Sequence, residues 1–563
     1  MASVDQFFGG QLAPIRARFQ SADSAALLLI ALCWMSAVIL VNPLGEFPSV
    51  DDWSYVSTVR ALVERGEIEL SDWIATNFIS QAFWGALFAM PFGVSYTTLR
   101  ISTIVAALLA AIALYRIIRN VDWPIPVALL AALSLLFNPI FFTLSFSFMS
   151  DVPFVAAQTG AMLFLLGGLR SGSRASSALG WVLALLAQLC RQTGLVIPLA
   201  YGGAYIVKQG WGLRRLAMAV LPLLVFLGVQ WTYQYWLTAT GRTPLMFGLS
   251  MRSILPKLAG SPVTVAENLF EVARYAFFYL GLFLLPISLP IIASIINSLS
   301  HKRAVTSTLV LAGTTVALAV ISLRAGLIMP IWPHTWRSWG IAADSYGVTA
   351  PPIFLEFVTV ISVCGGVFLL TCIGHAAYHL LRERPRAVGA WEFVFGLLGA
   401  AALLGILSLI DQKFDRYLLP AIPWIALSAM FAVPEKRNFA PPLWALVASG
   451  VLVAGMAWYS IVNEHNYMAE KRVWAAAINE LVAQGIPRET IDATWIFNGE
   501  VSYGRFGTKT GASPDWYRSR DYVVGIWPEP NYTLLHRYPV PRWPIWGSTG
   551  SAVLVYGPKA EPR

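Results

Sequence analysis

Charge is scarce in this chain. Only 12% of its 563 residues are Asp, Glu, Lys or Arg, about half the roughly 25% that soluble domains carry. A chain of this length with so few charges cannot wrap itself as soluble globules. Cysteine is rarer still: Cys33, Cys190, Cys364 and Cys372 all lie in apolar blocks. There cysteine serves as a small packing residue, so neither a disulfide framework nor a redox motif is expected. The loops assigned below to the outer side hold no Cys/His cluster of zinc type. No small-residue cleavage pattern follows the first apolar block, Ser24 to Val41, which comes after Arg16 and Arg18. That block therefore reads as a retained signal anchor.

What fills the chain instead is apolar sequence, 57% of it, in blocks long enough for helices that span a bilayer. The expected fold class is an α-helical polytopic membrane protein. Its basic residues cluster between the blocks: Arg116/Arg119, Arg170/Arg174, Lys208/Arg214/Arg215, Lys302/Arg303, Arg382/Arg384/Arg386 and Lys436/Arg437. Placing all of them in the cytoplasm satisfies the positive-inside rule and gives about thirteen spans, N-terminus inside and C-terminus outside. Between Ser176 and Lys208 the chain must then cross twice on short helices, turning at "CRQTG" with Arg191 on the outer face. The net charge of +9 is explained by these loops and anionic lipid, without nucleic acid.

Residues 1–462 form the expected membrane unit, with a long first external loop over 43–96. From Asn463 onward the composition changes. Glu464, Glu470, Lys471, Arg472 and Glu480 follow an amphipathic helical pattern, and "ATWIFNG" (493–499), "DYVVGIW" (521–527) and "AVLVYG" (552–557) read as β-rich runs. Residues 463–563 are thus expected to be a small extracytoplasmic α/β domain.

Acids in such a chain are costly and usually have a use or a partner. Asp51 and Asp52 open the first external loop in "VDDWSYVSTVR", just before a helical pattern that places Trp53 and Val56 toward one face. An Asp at a helix start caps its first turn, which accounts for one of the pair and not for both. Asp151, in "FSFMSDVPF", holds the matching place in the next external loop. A third external turn, "DQKFDRYLLP", packs Asp411, Lys413, Asp415 and Arg416 between apolar spans. Arginine there suits a lipid phosphate, because its planar fork matches phosphate oxygens. "WPHTWRSW" adds His334 and Arg337, which an interfacial aromatic belt explains as well as a site does. His375 and His379 share a helix face near a cytoplasmic end and read as interfacial.

Together these motifs resemble the GT-C superfamily of membrane glycosyltransferases. The chain is most similar to the polyprenyl-phosphate-sugar-dependent branch, with the protein O-mannosyltransferases and lipid A aminoarabinose transferases (glycosyltransferase family 39). "DDW-Y" stands where that family has an acidic pair, "LRIST" (99–103) resembles its Arg at the second span, "MSDVPF" its second acidic motif, and "DRYLLPAIPW" (415–424) its late Arg-Tyr-Leu-Leu-Pro turn. The family's Asp-Glu is Asp-Asp here, which leaves the essential member of the pair open.

The resemblance implies inverting transfer of a sugar from a polyprenyl phosphate to an acceptor hydroxyl of a glycan, lipid or protein. Asp51 or Asp52 would take the proton, with Asp151 assisting. Arg416, Arg191, Arg337 and Tyr417 would attend the departing phosphate. Asp51 and Asp151 could also hold a divalent ion, Mg or Mn, as in some members. Two rival classes stand beside this one. A transporter or flippase would carry mid-bilayer charges and internal repeats, whereas these acids sit outside and no repeat is evident. A non-catalytic glycan-binding or assembly protein on the same scaffold would have lost the acidic motifs.

Overall fold

The computed structural model describes residues 21–249, 261–338, 340–341, 350–382, 389–410, 413–433, 441–502, 521–546 and 552–559. Arg16, Arg18, Trp339, Arg384, Arg386, Asp411, Lys436 and Arg437 lie outside the described residues.

The helices of the membrane unit run in chain order as α1 (Ser21–Val41), α2 (Asp52–Arg65), α3 (Ile79–Phe92), α4 (Tyr96–Asn120), α5 (Ile125–Leu136), α6 (Pro139–Ser145), α7 (Asp151–Ser171), α8 (Arg174–Cys190), α9 (Val196–Gln209), α10 (Leu213–Ala239), α11 (Pro262–Asn297) and α12 (His301–Arg324). A two-stranded hairpin follows, β1 (Trp336–Arg337) with β2 (Gly340–Ile341), then α13 (Pro352–Arg382), α14 (Ala390–Ser408), a 3-10 turn at Asp415–Leu418, α15 (Ala421–Ala429) and α16 (Leu443–Ala483). The chain ends in β3 (Ile491–Asp492), α17 (Trp495–Ser502), β4 (Tyr522–Gly525), β5 (Tyr532–Pro539) and β6 (Ala552–Pro558), one sheet of order β3-β4-β6-β5.

Nine described helices are long and apolar enough to cross a bilayer, and α5 with α6, bent by 62°, makes a tenth. This is a multi-pass membrane protein. The expected count of about thirteen exceeds these ten; α8, α9 and α15 are each shorter than the roughly 20 residues of a straight crossing. Close packing in the bundle uses small residues, as membrane helices do. A Cβ at Gly281 on α11 would strike the backbone of Gly366 on α13.

The bundle has two chemically distinct ends. At one, Arg119 bonds Asp23 at 2.7 Å, Arg170 bonds Glu392 at 2.8 Å, and Lys208 lies 4.8 Å over the Trp391 ring. At the other, after the length of α4 and α7, stand Arg100 and Asp151 with the loops they bind. The C-terminal segment joins this second end through α17 and α16: Tyr96 donates to Glu500 at 2.6 Å and Ser49 to Tyr467 at 3.3 Å.

Two readings of the sequence are corrected here. Helix α16 runs unbroken for 41 residues across the expected boundary at residue 462, about 60 Å at 1.5 Å per residue. Its charges do not all lie on a solvated face, although Glu480 does. Glu464 is fully buried and accepts from Thr143 at 2.6 Å, Glu470 is buried against Arg542, and Lys471 is buried over the Tyr467 ring. The run 493–499 is mostly helix α17, not strand. The other two runs are strands β4 and β6, and β5 pairs with β6 along the exposed edge. The first external loop also holds an unforeseen apolar helix, α3, which exposes Phe83, Leu87, Met90 and Phe92.

Candidate active site

The site begins with a clamp. Ser95 caps α4, and Glu46 accepts the free N–H groups of Tyr96 (3.0 Å) and Thr97 (3.2 Å) at its start. One turn in, the buried guanidinium of Arg100 donates to the carbonyls of Phe146 (2.9 Å), Pro43 (2.6 Å), Gly45 (3.2 Å) and Phe47 (3.0 Å). Arg100 therefore fastens the first loop to the second. It reaches four backbone oxygens and is a structural clamp.

Asp52 completes that fastening. Its Oδ1 accepts from Ser49 N at 2.7 Å and its Oδ2 from Phe148 N at 3.3 Å. Burial pushes its carboxyl up to about 7, with Arg100 and the two N–H groups pulling the other way. Asp52 thus bridges the two loops. Val50, just before, takes a left-handed conformation (φ 58°), which a β-branched residue adopts only where its surroundings impose it. Asp51 follows at the N-cap position of α2, half-buried, yet its side chain makes no capping bond. The capping expected of one aspartate is thus made by neither; Ser54 instead bonds the Asp51 carbonyl.

Asp151 opens α7, fully buried. Its Oδ1 accepts from Arg191 at 2.8 Å, and Arg191 also reaches Ser150 Oγ at 3.0 Å. Its Oδ2 is buried without a hydrogen-bond partner. Arg191 comes from the turn after α8, and its guanidinium lies 5.2 Å from the Tyr417 ring. The short helices around "CRQTG" exist to bring it there: Asn77 and Gln188 tie that turn to the first loop and to α10.

Arg416 lies in the 3-10 turn, 7% exposed, 5.1 Å over Phe414 and 5.8 Å over Tyr417. Its Nε and Nη1 are buried without partners. Burial opposes its charge, but Asp151, Tyr417 and Asp51 outweigh that and hold it protonated above its ordinary range. Asp415 is a different residue in function. It accepts from the backbone N–H groups of Thr335 (3.0 Å), Trp336 (2.7 Å) and Arg416 (2.7 Å), and so pins the aromatic loop to the turn.

The structure brings together Asp51, Asp151, Arg191, Arg416 and Tyr417. Tyr55 joins them unforeseen, its hydroxyl pushed up to about 12 by burial despite Arg416 and Arg191 nearby. Its place four residues after Asp51, on the same helix face, was the signal that could have found it. Arg337 stands to one side, donating to the His334 carbonyl at 3.1 Å. His334 packs on Phe414 with centroids 3.8 Å apart, and burial, Arg416 and Arg337 depress it to about 3, so it is a neutral imidazole. Lys413 is bound to Glu271 and Asn268. His375 bonds the Ala432 carbonyl at 2.7 Å and faces His379 at 3.3 Å, on the helix α13 away from this cluster.

Among the described residues no group of three or more His, Cys, Asp or Glu could hold a metal ion. Asp151 is already paired with Arg191, and the two acids Asp51 and Asp151 do not by themselves supply the six or more oxygens a hard divalent ion takes.

Fold and site define a class: a multi-pass helical membrane protein with a buried carboxylate–guanidinium cluster at one end of the bundle. Residues 80–236 match the family model described as dolichyl-phosphate-mannose-protein mannosyltransferase. The match bears out, over the segment it covers, the resemblance to membrane glycosyltransferases carried by the motifs. That segment includes Arg100, Asp151 and Arg191. Among solved structures, the chain is similar to ArnT from Cupriavidus metallidurans bound to undecaprenyl phosphate, at 14% identity, TM-score 0.43, 95% of this chain and 98% of that one. The apo state of the same protein gives 15%, 0.41, 95% and 98%. Arabinosyltransferase EmbB from Mycobacterium smegmatis gives 14%, 0.30, 79% and 41%. No curated protein matches in sequence.

Proposed function

We propose that this protein is an inverting glycosyltransferase that moves a sugar from a polyprenyl-phosphate donor to an acceptor hydroxyl on the outer face of the membrane. The observation that carries the reading is the pair of unmet needs at the site's centre. Arg416 presents two buried N–H groups without partners, and Asp151 a buried oxygen without one. Leaving such groups unpaired is costly, and the phosphodiester of a sugar-linked polyprenyl phosphate, with a nearby hydroxyl, would satisfy both. The family match supports a lipid-phosphate-linked sugar as donor.

Asp51 is the general base in this scheme. It takes the proton of the acceptor hydroxyl as that oxygen bonds the anomeric carbon from the face opposite the phosphate. The bond from carbon to phosphate oxygen breaks, its electron pair leaves on the phosphate, and the anomeric centre inverts. Arg416 and Arg191 stabilise the departing anion by charge-assisted bonds. Tyr417 lies against both guanidiniums and keeps them apart, Asp151 orients Arg191, and Arg337 borders the entrance. The acids' end is outward in this reading because the basic residues gather at the opposite end.

The test is to incubate purified protein with a panel of radiolabelled polyprenyl-phosphate sugars and hydroxyl acceptors. Transfer from at least one donor is expected. Neither transfer nor binding of any polyprenyl phosphate would overturn the reading.

A further inference from the structure

The turn that carries Arg416 is a short 3-10 turn with few backbone bonds of its own, Tyr417 N to Phe414 O at 2.9 Å and Leu419 N to Arg416 O at 3.1 Å. It is held by the β1–β2 hairpin, and the hairpin by α16. Trp336 bonds the Asp415 carboxylate through its backbone N–H at 2.7 Å. Its indole, 2% exposed, donates to the hydroxyl of Tyr459 on α16 at 3.0 Å. The hairpin also presses on α16 at Gly340 (φ 136°), where a Cβ would come within 2.7 Å of Asn463 Oδ1.

Tyr459 is braced in turn from the far end of the chain. Its ring stacks with Phe354 at 5.9 Å, and Phe354 packs on Trp546 at 4.5 Å. Trp546 closes a strap, residues 541–546, that is bound to α16 by side chains. Asn466 exchanges two hydrogen bonds with the Trp543 backbone (2.7 and 3.0 Å), His465 stacks on the Trp543 ring at 4.0 Å, and Arg542 pairs with buried Glu470.

We propose that Tyr459 is a positioning residue for Arg416. The strap and α16 fix Tyr459, Tyr459 fixes Trp336, and Trp336 with Asp415 fixes the turn that aims the guanidinium. This rests on the reading of Arg416 as the ligand of the donor phosphate. Tyr459 touches neither donor nor acceptor in this arrangement. Its effect passes through Trp336 and Asp415 to Arg416, and the dependence on Arg416 makes it separable from a merely structural role. The physical reason is the cost of a buried indole N–H without an acceptor. Removing the Tyr459 hydroxyl makes Trp336 seek another partner, and the two backbone N–H groups on Asp415 move with it.

The experiment is a double-mutant cycle on the affinity for a polyprenyl monophosphate, with Tyr459→Phe and Arg416→Lys. Phenylalanine keeps the packing against Phe354 and removes only the bond. Tyr459→Phe should weaken binding about fivefold, with kcat at saturating donor near that of the wild type. In the Arg416→Lys background the same change should alter affinity less than about twofold. Additive effects, or unchanged affinity in Tyr459→Phe, would overturn the proposal. Trp336→Phe removes the same bond from the other side and decides the matter if Tyr459→Phe does not fold. A wild-type protein that binds no polyprenyl phosphate would instead sink the underlying reading of the site.

Discussion

Arg191 and Asp151 bond at 2.8 Å across the open end of the hairpin made by α7 and α8, 40 residues apart in sequence. Asp151 is 1% and Arg191 13% exposed at the side chain. Removing one partner of such a pair strands the other, which typically costs about 3–5 kcal/mol. Arg191→Ala should therefore lower thermal stability in detergent as well as sugar transfer. Adding Asp151→Asn should recover part of the stability, because the stranded charge is gone, and none of the transfer. Unfolding curves and transfer rates for both variants check this. Recovery of transfer in the double variant would show that the pair is structural only.

The two adjacent aspartates should separate by mechanism. Asp51→Asn should fold normally, bind donor and lose turnover by a factor of about 10² or more, since the amide cannot take the proton. Asp52→Asn should fail differently. Its carboxylate accepts from two backbone N–H groups, and an amide offers one oxygen and one NH₂, so a donor would face a donor. Its pH signature also has a definite sign. With the folded-state carboxyl raised to about 7 by burial, the folded protein binds the extra proton between about pH 4 and 7. This group's contribution to stability therefore falls as pH rises through that window, and flattens above it. Melting temperatures across pH 4 to 8 should show a shallower decline in Asp52→Asn than in the wild type. Full transfer activity in both single variants would remove the pair from the chemistry.

Much of this arrangement was legible in the sequence, and the limits have physical causes. The separation of a basic end from an acidic end was legible because basic clusters and acids alternate along the chain, and the structure gathers Arg119, Arg170 and Lys208 far from Asp151. Asp151, Arg191 and Arg416 could be singled out because a charge is conspicuous in apolar surroundings. The division of labour between Asp51 and Asp52 could not, since it depends on the backbone N–H of Phe148, 96 residues away. The continuation of α16 was hidden for a related reason. Glu464 and Glu470 look solvated in sequence, and only their partners Thr143 and Arg542 show that they are buried. Local pattern also favoured a strand at 493–499, where Asn498 closes a helical turn onto Ala493 N and Asp492.

Arg416 and Lys413 are both cations of one turn, and they should behave unequally. Lys413 is engaged with Glu271, whereas Arg416 keeps two buried N–H groups without partners. Losing a charge-assisted phosphate bond costs about 1.5–3 kcal/mol. Arg416→Ala should weaken donor binding about tenfold or more, and Lys413→Ala by about twofold at most. Binding of a labelled polyprenyl phosphate by both variants decides it, and equal loss in the two would remove Arg416 from its assigned role.

The orientation of the whole map can be tested from two points on the chain. The C-terminal segment stands with the acids, through the bonds from Tyr96 to Glu500 on α17 and from Ser49 to Tyr467 on α16. The turn between α7 and α8, at Gly172 and Ser173, lies at the other end, beside Arg170 and its partner Glu392. The positive-inside rule predicts that turn to be cytoplasmic and the C-terminal segment extracytoplasmic. A reporter active only in the cytoplasm should therefore be silent when fused after Arg563 and active when inserted after Gly172. A reporter active only outside the cytoplasm should give the reverse pattern. The same response at both points would mean that the chain crosses the membrane an even number of times between them. The odd number of crossings between the basic end and the sheet would then be wrong, and with it the placement of Asp51 and Arg416 on the outer face.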